Sequence, residues 1–150
     1  MVFLELDKTD LAILRVLETN ARLSFRKVAA KTGVSVATVM NRVRELENNK
    51  VIKAYSVELD YENMGYELQA ITSIIVSKGK LNQVENKIAV HPNVTAVYDI
   101  TGHFDVLVIS RFKTRRGLDE FLKKIQTYEF VEKTETDIIL NTIKRAPLKV

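Results

Sequence analysis

Cysteine is absent from the 150-residue chain, which excludes disulfide staples, thiolate metal sites and cysteine nucleophiles, and fits a reducing compartment. No stretch approaches the ~18 uninterrupted apolar residues that a membrane-spanning helix needs. The acidic start Glu5-Leu6-Asp7 lacks the positive head and long apolar run of a secretion signal. The expectation is a cytoplasmic protein without a membrane partner. Catalytic patterns are missing as well: there is no HExxH, GxSxG, GxxxxGK or GxGxxG, and only two histidines, His91 and His103. His91 precedes Pro92, which ends a helix, so its ring is read as interacting with the last helical carbonyls. The chain is therefore expected to be no enzyme and to use neither cofactor nor metal.

Acids are also missing locally. The net charge is +4, and between Thr19 and Arg44 lie Arg22, Arg26, Lys27, Lys31, Arg42 and Arg44 without a single Asp or Glu. A solvated face or a nucleic-acid contact would both produce such a segment, and the local helix pattern separates them.

Asp7 and Asp10 suit a helix start, and Ile13, Leu14 and Leu17 continue one apolar stripe, which predicts a helix over 8–20. Ser24 caps a second helix with Phe25, Val28, Ala29 and Thr32 on one side. Gly33 then suits a left-handed helix end, and Ser35 caps a third helix at once, with Val36, Val39, Val43 and Leu46 facing inward. Two helices joined by so tight a turn can place one in the major groove of duplex DNA and the other across the backbone. Ala37, Thr38 and Asn41 are small or base-competent, and Arg42 can bond guanine or phosphate. With Arg26, Lys27, Ser35 and Arg44 they form the expected contact set for double-stranded DNA. A plain α-hairpin with a hydrophilic outer face is the competing reading, disfavoured by the acid-free segment.

Val51 to Asp60 has strand-like β-branched and aromatic content, and Tyr61 to Tyr66 reads as a turn, so one domain is expected over 1–57 and a second over 58–150. In the second, Leu68–Val76, Val94–Thr101, Val106–Phe112 and Val131–Ile143 read as strands. Leu81, Val84 and Ile88, then Leu118, Phe121, Leu122 and Ile125, mark two helices. The βαββαβ order implies an α+β, ferredoxin-like four-stranded antiparallel sheet with both helices on one face. Several of these strands are apolar on both faces, as in Ile71, Ile74 and Ile75 or Val106, Leu107, Val108 and Ile109, so the uncovered face is expected to pack on a second copy.

Several segments together carry a resemblance: Leu6 to Leu14, Val34 to Val39, Arg42 to Glu47, Val51 to Tyr55, and Thr101-Gly102-His103-Phe104-Asp105. In combination they resemble the Lrp/AsnC family of leucine-responsive and asparagine-type regulators over nearly the whole chain. The resemblance implies a helix-turn-helix, winged-helix-like head, a strand linker, and a ferredoxin-like domain that dimerises through its sheets. It further implies stacking of dimers into octamers and a small-molecule effector, an amino acid, held in clefts between dimers. Carried over by position, Gly102 would expose backbone amides to a carboxylate and Asp105 would pair with an ammonium group. His103 departs from the acidic or polar residue of the family pattern, and Tyr98, Thr101, Thr134 and Thr136 complete the implied ligand set. Gly102 and Asp105 also fit ordinary hairpin chemistry. A branch resembling the family decarboxylates sirohaem-type tetrapyrroles; the acid-free segment argues for DNA instead.

Overall fold

The computed structural model describes residues 5–148 and Val150. Two compact units divide the chain: the N-terminal residues through Glu58 joined by the tail from Ala146, and Leu59–Arg145.

The head holds three helices, α1 (Lys8–Thr19), α2 (Phe25–Thr32) and α3 (Val36–Asn48). Each begins on a side-chain cap. Asp7 accepts from the Thr9 and Asp10 amides at 2.8 and 2.9 Å, while Asp10 Oδ2 accepts from the Asp7 amide at 3.1 Å, closing a reciprocal capping box. Ser24 accepts from the Lys27 amide and Ser35 from the Thr38 amide. Gly33 ends α2 at φ 73°, a left-handed turn that an L side chain rarely adopts, and its amide bonds the Ala29 carbonyl. Ile13, Leu17, Val28, Ala29, Val39 and Val43 form the core, with Ile52 packed against it.

Beyond α3 the expected strand does not form. Among the described residues, Val51 to Asp60 makes no ladder with any other segment. β-propensity reflects packing on a neighbouring strand, and none lies beside this segment. Side chains anchor it instead: Ile52 enters the head core and the Tyr55 hydroxyl donates to Glu47 Oε1 at 2.8 Å. Burial and that carboxylate push the Tyr55 phenol up to about 12.

The second unit follows the order β1 (Leu68–Val76), α4 (Leu81–Ala89), β2 (Val94–Asp99), β3 (Val106–Phe112), α5 (Arg115–Gln126), β4 (Val131–Ile138). The sheet order is β2-β3-β1-β4, with antiparallel pairing throughout. This is the expected ferredoxin-like arrangement. Two strands stop early: β2 turns at Ile100, whose amide bonds the Asp105 carbonyl, and β4 runs out where β1 begins, Ile139 donating to Gln69. One sheet face carries Ala70, Ile74, Val76, Val106, Val108 and Phe112 against Val84 and Ile88 of α4 and Leu118, Phe121 and Ile125 of α5. The other face presents Ile71, Ile75, Leu107 and Ile109, only half-buried, with Ala96 and Tyr98 beside them.

Arg42 leaves the flank of α3 and reaches the start of α1. Its guanidinium lies 2.8 Å from Asp7 and 3.5 Å from Asp10, of which Asp10 is only 5% exposed. Hydrogen bonding from the Asp10 amide, helped by Thr9 and by Arg42 and opposed by partial burial, holds the Asp7 carboxyl below its ordinary 3.8. A carboxylate whose pKa is depressed by folding stabilises fully above the unfolded value, and that contribution disappears as pH falls through the folded value. Asp7→Asn keeps the cap acceptor and removes the charge, so unfolding of the variant is expected to depend less on pH below about 4. Arg42→Ala is expected to cost about 1 kcal/mol, since buried Asp10 loses its cation. Thermal unfolding across an acid pH series checks both.

Candidate nucleic-acid interface and ligand hairpin

Turned 100° per residue, α3 sends Val39, Val43 and Leu46 into the core, so the row Ala37, Asn41, Arg44 and Asn48 points directly away from it. All four are exposed. Ser35 caps the helix, and its hydroxyl shares a 2.8 Å hydrogen bond with that of Thr38, which flanks the row. Arg26 and Lys27 are exposed in the first turn of α2. Asn48, the last residue of α3 and outside the expected contact set, belongs to the row by spacing, i+4 from Arg44 and i+7 from Asn41. Arg42, within the expected contact set, lies apart from this row. Its position lies on the flank facing α1, where Asp7 and Asp10 hold it, so it stands off the outward row with which its charge grouped it.

In the sheet domain, the six residues between β2 and β3 form the expected hairpin. Gly102 has φ 122°, and a Cβ placed there would meet no atom within 4 Å, so the backbone conformation, rather than crowding, calls for glycine. Thr101, Gly102 and His103 are exposed, with His103 edge-on to Phe104 at 4.9 Å between ring centroids. Asp105 ties the hairpin to the end of β1. Its amide donates to the Ile74 carbonyl, and its Oδ2 accepts from the Val76 amide at 2.8 Å. The carboxylate therefore has a structural duty, whatever else it binds.

The remaining implied ligand residues do not converge. Tyr98 pairs with Leu107 on the open face, whereas Thr134 and Thr136 pair with Ile74 and Thr72 on the helix-covered face. β2 and β4 are also opposite edges of the sheet, three strand spacings or about 14 Å apart. Thr136 is already bonded to Thr72 and Thr134 to Gln126. Strand alternation thus separates Tyr98 from the two threonines of the implied ligand set within one chain.

Among the described residues, no group of histidines and carboxylates could hold a metal ion and no helix is long and apolar enough to cross a membrane.

Comparison with known proteins agrees with both halves of this geometry. The AsnC-type helix-turn-helix domain matches residues 6–47, and the Lrp/AsnC ligand binding domain matches residues 69–148. An HTH-type transcriptional regulator of Pyrococcus furiosus is 40% identical over 141 residues, covering 94% of this chain and 95% of that protein. The structure of Escherichia coli AsnC superposes with a TM-score of 0.93 at 26% identity, covering 98% of this chain and 100% of that one. A transcriptional regulator of Neisseria meningitidis solved as a complex with L-Met gives 0.88 at 25% identity, over 95% of this chain and 94% of that one. The outward polar helix row, the four-stranded sheet and these likenesses carry one conclusion: the chain belongs to the Lrp/AsnC family of helix-turn-helix transcriptional regulators and is a DNA-binding regulator with a ligand-binding domain, not an enzyme.

Proposed function

We propose that this regulator reads a specific duplex sequence with the row Ala37, Asn41, Arg44 and Asn48, flanked by Thr38. Ser35, Arg26 and Lys27 contact the phosphate backbone. The observation that carries this reading is the composition of the row: a methyl group, two amides and a guanidinium, exposed together on a helix with a clear outer side. Arg42 serves the fold of the head rather than the bases. Such a protein works beside the chromosome, in the cytoplasm.

The reading extends to an effector. A small amphoteric metabolite, an amino acid, binds at the hairpin, its carboxylate on the exposed backbone around Gly102 and its ammonium near the free edge of the Asp105 carboxylate, with Thr101, His103 and Tyr98 close by. The L-Met complex of the Neisseria regulator supports the ligand class. Thr134 and Thr136 have no part in it. Ile71, Ile75, Leu107 and Ile109 support homodimerisation through the open face, and further stacking of dimers into an octamer would bring copies of the hairpin together. Effector control then follows if the ligand prefers one assembly over another.

Three results are expected. Asn41→Ala should weaken specific operator binding tenfold or more, about 1–3 kcal/mol, without lowering the unfolding midpoint, while Arg42→Ala should do the reverse. Competition gel shifts and melting curves on the same preparations decide between them. Leu107→Asp should convert the protein to monomer in sedimentation velocity; an unchanged dimer would move the interface elsewhere. Calorimetric titration with the twenty amino acids should find at least one ligand, lost tenfold or more in Asp105→Asn, which retains the acceptor for Val76 but not the charge. If wild type binds none, the hairpin returns to its structural role.

A further inference from the structure

At the opposite end of β3 from the hairpin, the sheet domain bears an open depression of about 450 Å³ between the start of α5 and the segment that follows α4. The half-buried ring of His91 opens onto this space, while Phe112 and Phe121, 3% and 4% exposed, back it from the core. The rings of His91 and Phe121 lie 4.7 Å apart and those of Phe112 and Phe121 5.2 Å apart, all tilted. The rim is cationic, formed by Lys113 and Lys124. Among the described residues neither lysine has a carboxylate within 4.0 Å, and Lys113 instead lies 4.9 Å over the Tyr66 ring. The one carboxylate at the depression, Glu120, is already held by Arg116 at 2.9 Å.

His91 does not bond the last helical carbonyls, as its position before Pro92 suggested. Its Nδ1 accepts from the Asn93 amide at 3.2 Å, which leaves the ring proton of the neutral form on Nε2. Burial, with Lys124 adding to it, keeps the imidazole pKa below its ordinary 6.5, so the ring is an uncharged flat surface at neutral pH. Gly117 lines the same space. It lies inside α5 at an ordinary helical φ, and a Cβ there would make only ordinary contacts, 3.4 Å to the Thr114 hydroxyl and 3.5 Å to Phe112. Neither backbone conformation nor crowding requires glycine, and its effect is to leave the wall open.

We infer that this depression binds a small organic anion with a flat apolar body, of the aromatic carboxylate class, laid against the half-buried His91 ring that Phe121 backs, with its charge between Lys113 and Lys124. An amino acid does not suit it. Its ammonium would sit beside two lysines with no free carboxylate, so the ligand class differs from that at the hairpin and the inference stands independently of it.

The test uses the full-length chain and 4-fluorobenzoate, followed by fluorine NMR. A saturable shift is expected in wild type. Affinity should fall at least tenfold in the Lys113→Gln/Lys124→Gln double variant, and neutral 4-fluorobenzyl alcohol should bind at least tenfold more weakly than the carboxylate. Asp105→Asn should leave the titration unchanged, which separates this site from the hairpin. Absence of saturation up to about 10 mM in wild type, or equal affinity in the double variant, overturns the assignment. Displacement of the probe by equimolar inorganic phosphate also overturns it, because the His91 ring would then contribute nothing.

Discussion

The central strand β1 is hydrogen-bonded along both edges, to β3 and to β4, so every one of its side chains is committed to one of two faces. Ala70, Thr72, Ile74 and Val76 are buried under the helices, and Gln69, Ile71, Ser73 and Ile75 are turned the other way. The neighbouring strands inherit that choice through register. It places Val106 and Val108 in the core and Leu107 and Ile109 on the open face. It also decides which residues can share a site, because a ligand on one face cannot be touched from the other. This rule, together with the width of the sheet, separates Tyr98 from Thr134 and Thr136.

The head answers to a different constraint, the need to end one helix and start the next within three residues. Gly33 turns the chain, Val34 packs inward, and Ser35 restarts the helix with its own hydroxyl, so α3 leaves the turn in a fixed direction. The capping box of α1 then receives Arg42 from the flank of α3. Local caps set each helix start, and a long-range ion pair joins two of them. Charge on α3 is thus divided by direction, Arg42 inward to acids and Arg44 outward to solvent.

Most of this was legible before the structure. Three helices, their caps, the glycine turn and the βαββαβ order all follow from short-range signals, since spacing and capping are local properties. What was not legible needed distance information. Val51 to Asp60 has strand composition but no partner, and nothing in its own residues says so. Arg42 has Glu45 and Glu47 within five positions, yet its closest carboxylate is that of Asp7, thirty-five positions earlier. Asp105 reads as a ligand residue or a turn residue from sequence; only the fold reveals the Val76 amide it holds. The depression beside His91 has no sequence signature, because His91, Phe112 and Phe121 come from three parts of the chain.

The two candidate ligand regions lie at opposite ends of β3, with Val106 following the hairpin and Phe112 bordering the depression. A seven-residue strand spans about 20 Å and is held on both sides by neighbouring strands, so it is a stiff connection with one register. Such a strand offers no second arrangement that a ligand at one end could favour, and without two states there is no coupling free energy to transmit. Any influence of one ligand on the other must therefore pass through something bistable outside the sheet. The proposed association of copies through the open face has that property, since its equilibrium depends on concentration and on whatever ligands favour it. Under the proposed function a metabolite signal acts through assembly, and the sheet contributes by holding both ends in fixed positions while assembly changes.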